Sequence, residues 1–137
     1  MQQSVVRKMQ YSISRQDHSN VCEIAITGQV NVSEAIQGLE EVWQDDLYRL
    51  AQFVIFDAER CEDCPDFNEL MKIVNYVRTN KPAGGPSHIA YYSSTFASTF
   101  IKRVLQGMVN RLPHNIVLFE DKATALAWFP DDRSDVA

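Results

Sequence analysis

Cys61 and Cys64, two residues apart and just ahead of a helix start, are the side chains of this chain best placed for covalent chemistry. A Cys-x-x-Cys pair before a helix is the arrangement of thiol–disulfide oxidoreductases, because the positive end of the helix stabilises a thiolate. The residues between them are Glu62 and Asp63, whose charges oppose a further anion. The pair also follows the third predicted strand, whereas thioredoxin-like motifs follow an early one. A redox sensor is therefore the distant reading, and two loop thiols, one packed under the helix, the plain one. Zinc fares no better: one pair supplies two of about four ligands, Cys22 sits mid-strand, and His18, His88 and His114 show no second paired spacing. His88 and His114 read as solvated residues ahead of inner strands. The chain has no GxSxG, and Gly84–Gly85 leads into a strand, which is turn chemistry and not a phosphate cradle. Glu40–Glu41 and Asp45–Asp46 are adjacent carboxylates that read as a solvated helix face. No catalytic set, cofactor site or metal site is legible, so the chain reads as a non-enzyme.

What remains is chemistry for holding. Phe53–Phe56 is a continuous apolar run into Asp57, followed by an acidic loop with Glu59, Cys61, Glu62, Asp63, Cys64 and Asp66. A strand buried on both faces that hands over to a helix marks the edge of a parallel sheet where α/β folds place their sites. Ser93, Ser94 and Thr95 close the next strand at the same edge, either as helix caps or as donors to a ligand's polar end. Phe56, Phe67, Tyr92, Phe96 and Phe100 lie near it, as core or as the lining of an apolar pocket beneath the second and third predicted helices.

These residues must be positioned by a regular alternation of elements. Tyr11–Arg15 and Cys22–Thr27 alternate apolar and polar as a hairpin about the polar turn Gln16–Asn20. Asn31 and Glu34 have capping-box spacing, opening a helix with Ile36, Leu39, Trp43, Leu47 and Leu50 on one stripe. Gly38 within it marks a close packing contact. Ile89–Tyr92 and Ile116–Phe119 are short buried strands, each followed by a helix, the last one capped by Asp121 and stopped by Pro130. The order ββαβαβαβα predicts a single α/β domain over residues 9–129: a mixed sheet with parallel inner strands, alternating strands at an edge and right-handed crossovers. Residues 1–8 and 130–137 are expected to be flexible termini.

With 137 residues, 45% apolar and 23% charged, the chain fits one globular core. Its apolar runs fall far short of the roughly 20 residues that cross a bilayer. The first eight residues hold no secretory h-region, and three cysteines suit a reducing compartment, so a cytoplasmic protein is expected. Net charge is −5, from 13 basic and 18 acidic residues, which disfavours nucleic acid as a partner.

Three segments carry a family resemblance: Gly28–Val30 closing the hairpin, Phe53–Asp57, and the tail Val117–Phe129 (VLFEDKATALAWF). In this order the chain resembles the SpoIIAA-like, or STAS, domains of anti-sigma-factor antagonists, a fold that overlaps the Sec14 lipid-binding type. The resemblance implies a non-catalytic binding or regulatory module. It also implies a phosphorylated serine at the start of the helix after the third strand, yet Val54 to Arg78 contains neither serine nor threonine. A phosphoserine switch is excluded there. Two uses follow: docking of a protein partner on the acidic loop and second helix, or carriage of a small apolar or lipid-like ligand between sheet and helices. The hairpin edge Tyr11–Thr27 leaves a homodimer open.

Overall fold

The computed structural model describes residues 9–15, 20–63, 67–82, 84–94, 99–112 and 115–130, with the backbone alone for 62, 63, 67 and 99–101. The strands are β1 (Gln10–Arg15), β2 (Val21–Gln29), β3 (Phe53–Asp63), β4 (His88–Tyr92) and β5 (Ile116–Phe119). The helices are α1 (Val32–Gln44), α2 (Asp46–Arg49), α3 (Phe67–Asn80), α4 (Thr99–Val109) and α5 (Lys122–Trp128). This is the expected order with one short helix, α2, added. The strands lie side by side in chain order, β1 antiparallel to β2 and the other neighbours parallel. Residues 16–19 of the hairpin turn, with His18, then His114, and residues 1–8 and 131–137 of the expected flexible termini lie outside the described residues.

Strand alternation sorts the core into two layers. Phe53 and Ile55, with Val21, Ala90, Tyr92 and Phe119, meet Ala125 and Phe129 beside α5. Val54 and Phe56, with Cys22, Ile24 and Ile89, meet Val42 and Trp43 of α1 and Tyr48 of α2. Burying each such large apolar side chain contributes about 1.5–3 kcal/mol. The connections through α1, α3 and α4 each step one strand in the same direction and lay their helix on the same face, so all share one hand. Helix α5 has no further strand to reach and folds onto the opposite face.

Three expectations are corrected. β5 is an edge strand, not an inner one; its run is apolar because α4 covers one face and α5 the other. The first helix stops at Asp45, whose extended backbone (ψ 132) breaks the stripe, and whose carboxylate then accepts from Leu47 N to start α2. Leu47 and Leu50 are consequently 40% and 83% exposed. Glu40 and Glu41 are exposed, as expected, and also tie α1 to its neighbours: Tyr76 Oη donates to Glu40 Oε2 (2.5 Å) and Tyr11 Oη to Glu41 Oε1 (2.7 Å), joining α1 to α3 and to β1. Trp43 stacks parallel to Tyr76 at 6.1 Å on the same seam. His88 is half-buried, packed edge-on against Phe53 and Trp128, with Nδ1 2.9 Å from Ser87 Oγ.

The outer edge of β5 is closed by one side chain. Gln106 of α4 donates to Ile116 O (2.9 Å) and accepts from Leu118 N (2.9 Å), so it mimics the next strand of the ladder. Edge strands left open are templates for pairing with another chain. Gln106→Ala should lower the unfolding free energy by about 1 kcal/mol, the typical net worth of a hydrogen bond to a part-buried group, and increase light scattering on heating; an unchanged urea midpoint would contradict this role.

Two of the tyrosines raised by burial illustrate how stability is lost at alkaline pH. Burial, then the Glu41 carboxylate, push the Tyr11 hydroxyl up to about 12, and burial lifts Tyr48 to about 12. The unfolded chain therefore loses these protons first. Their contribution to stability is complete below about pH 10 and is lost as pH rises through about 12. Urea midpoints should fall across that window, and Tyr48→Phe should flatten the decline.

Candidate functional site

Strand β3 carries the site, and it is longer than its apolar run. The segment after Asp57, expected as a loop, continues as strand to Asp63 because β2 supplies a partner as far as Gln29. The pairing slips on the way. Ala25 faces Asp57 but Thr27 faces Arg60, so β3 holds one extra residue, and a second slip lies between Gly28–Cys61 and Gln29–Asp63. Such a bulge bends a strand and reverses which face its following residues reach. The Asp57 carboxylate accepts from Glu59 N (2.9 Å), an Asx-type contact that holds the first bulge. Gly28, opposite Cys61, takes a φ of 85°, a conformation that costs glycine little.

The bulge separates residues that the sequence placed together. Asp57 lies on the α5 face, where it hydrogen-bonds Tyr92; burial and then this carboxylate push the Tyr92 hydroxyl well up. Glu23 on β2 pairs with Lys122 of α5 at 2.8 Å. Cys61 turns the other way, its Sγ donating to Ile26 O at 3.8 Å. Glu59, at the bulge, reaches β4's end: its Oε2 accepts from Ser94 N at 2.7 Å.

Between the sheet and α1, α3 and α4 is a cavity of about 440 Å³. Ile24, Ile26, Phe56, Tyr91 and Leu118 form its sheet side; Leu39 and Val42, Leu70 and Ile73, and Leu105 and Met108 supply the helical walls. Ala35, Gly38 and Ala58 leave the space open by being small. A Cβ on Gly38 would make ordinary contact with Met9 Cε at 3.5 Å and with Tyr11 of β1 at 3.6 Å, so α1 packs on β1 there without requiring glycine. Among the described lining residues the polar side chains are Glu59, Cys61, Ser93, Ser94, Tyr91 and Tyr11, whose hydroxyl Glu41 already engages. The volume and the apolar lining with few polar groups are those of small-molecule sites.

Of the residues singled out from sequence, Cys61, Ser93 and Ser94 line this cavity and Asp57 lies across the sheet from it. Glu62 and Asp63 continue β3 beyond it, and Cys64, Asp66 and Thr95 lie outside the described residues. Among the aromatic residues Phe56 lines the cavity, whereas Tyr92 does not: strand alternation sends Tyr91 to the cavity and Tyr92 to α5. Phe96 and the side chains of Phe67 and Phe100 are outside the described set. Sequence reasoning missed Glu59 as a site residue and missed Tyr11, Ala35 and Ala58. An i, i+3 pair of small residues on α1 (Ala35, Gly38) was the available clue. Among the described residues no three His, Cys, Asp or Glu gather as a metal-holding group, and no helix is long and apolar enough to cross a membrane.

No protein-family model matches the chain, and comparison with curated proteins finds no relative. Solved structures do match. An uncharacterised DUF3478-family protein with a SpoIIAA-like fold from Shewanella loihica PV-4 superposes with a TM-score of 0.57 at 14% identity, over 95% of this chain and 100% of that one. An anti-sigma factor antagonist from Mycobacterium paratuberculosis gives 0.57 at 14% identity, over 88% and 92%. The fold expected from the order of elements is therefore the fold observed, a SpoIIAA-like fold.

One thiol is withdrawn from chemistry. Cys22 is 1% exposed, and burial, followed by the nearby Asp45 carboxylate, pushes its thiol up to about 11. Iodoacetamide at about pH 8 should leave Cys22 unmodified in the folded protein; peptide mass spectrometry showing prompt labelling there would contradict the packing.

Proposed function

We propose that this SpoIIAA-like domain is a non-catalytic binding module that carries a small apolar or lipid-like molecule in the cavity beneath α1, α3 and α4. The observation that carries this reading is the cavity itself: about 440 Å³ of partly open, mostly apolar space between sheet and helices in a 137-residue chain. A ligand that covers this apolar lining removes it from water, at about 25 cal/mol per Å² of apolar surface, and so stabilises the fold. The polar corner limits the ligand's head. Glu59 brings a carboxylate beside Ser93 and Ser94, so an alcohol or amine is favoured over a carboxylate head.

Protein purified from its host should release an amphiphile on organic extraction, identified by mass spectrometry. Ala58→Phe, which fills the space from the sheet side, should abolish displacement of a bound fluorescent probe by dodecanol without lowering the melting temperature. Glu59→Gln should weaken dodecylamine and strengthen dodecanoate in the same assay. Retained dodecanol binding in Ala58→Phe would overturn the reading.

A second reading is docking of a protein partner on the acidic run of residues 59–66, and the likeness to an anti-sigma factor antagonist supports it. The site named from sequence (Asp57, Cys61, Glu62, Asp63, Cys64, Asp66, Ser93, Ser94 and Thr95) serves that reading, with no phosphoserine switch. Charge reversal at Glu62, Asp63 and Asp66 should then abolish capture of a partner while the cavity still binds dodecanol.

A further inference from the structure

The charge of this protein is divided, and the division follows the helices. Between residues 67 and 112, which hold α3, β4 and α4, there are six basic residues (Lys72, Arg78, Lys81, Lys102, Arg103 and Arg111) and one acidic residue, Glu69. The segment is thus +5 in a chain of net −5, which leaves −10 for the remainder. Lys81 is spent locally, its Nζ donating to Gly84 O, and burial lowers its pKa. Lys72 and Arg78 on α3, Arg103 on α4 and Arg111 just after it are exposed, and Lys102 is partly so. Helices α3 and α4 pack together through Val74, Met108 and Leu112 on their inner sides. The outer face of that two-helix layer is therefore basic, while α1 beside it is acidic, with Glu34, Glu40 and Glu41.

We infer that the outer face of α3 and α4 docks the protein on an anionic lipid surface. The inference rests on the carrier reading, because these same helices wall the cavity through Leu70, Ile73, Leu105 and Met108. A carrier of an apolar molecule exchanges it with a bilayer, and of the three helices that wall the cavity α3 and α4 have the charge to meet one. Each Lys or Arg near an anionic leaflet contributes about 1 kcal/mol. The acidic remainder orients the approach, so that α3 and α4 arrive first. Single-stranded nucleic acid is the poorer fit, since it needs aromatic platforms beside the charge. Tyr76 of α3 is instead stacked on Trp43 and bonded to Glu40.

The test is co-sedimentation of the purified protein with vesicles of phosphatidylcholine alone and of phosphatidylcholine mixed with phosphatidylglycerol. Binding to the mixed vesicles only, lost as salt is raised, is expected. The double variant K102E/R103E should lower partitioning on the order of tenfold or more, with K102Q/R103Q intermediate and circular dichroism melts of both unchanged. Equal binding to neutral vesicles, no binding to either, or variants that bind as the parent does would overturn the inference. So would tighter binding to single-stranded RNA than to the mixed vesicles, or self-association in ultracentrifugation that the double variant abolishes. Failure here with dodecanol still bound sinks the docking alone, whereas vesicle binding by a protein that takes no amphiphile sinks the carrier reading.

Discussion

One extra residue in β3 decides what this sheet can do. Up to Asp57 the strand alternates strictly between α5 and the other helices; after the bulge at Glu59 the parity reverses. Without it, Cys61 would share the face of Asp57, and Glu59 would not meet Ser94. The hydrogen bond from Glu59 N to the Asp57 carboxylate therefore has a consequence well beyond its own energy, about 1 kcal/mol for a typical bond. It places the polar corner on the side of the sheet where α1, α3 and α4 leave space.

That space has its own causes. Three crossovers of one hand put three helices over the same face, while the opposite face is filled tightly by α5 with Phe53, Ile55 and Phe129. Helix α1 is tied at both flanks by tyrosine hydroxyls on adjacent glutamates, which helps fix its position over the sheet. Small residues at positions 35, 38 and 58 then keep the volume open. Rigid walls and small facing side chains make a cavity where collapse would otherwise lower the free energy.

The sequence made most of the fold legible. Apolar runs at 53–56, 89–92 and 116–119 and the helix caps Asn31 and Asp121 correspond to observed elements. The site was only partly readable, for physical reasons. Periodicity assigns faces only while the register holds, so it could place Asp57 but not Cys61, which follows a slip made by backbone pairing with β2. The stripe through Leu47 and Leu50 failed because Asp45 was read as one more polar residue, when its carboxylate ends one helix and caps the next. The apolar run of β5 was read as a central strand, since covering by two helices looks the same in sequence as flanking by two strands.

The central claim is that the face of α1, α3 and α4 holds an apolar ligand and the α5 face does not. Methyl-resolved NMR during titration with dodecanol tests it most directly. Saturable shifts at Ile24, Ile26, Ile73, Leu105 and Leu118, with Ile55 unmoved, are the result this account predicts. Methyl resonances that stay still throughout, or that move equally on both faces, would contradict it.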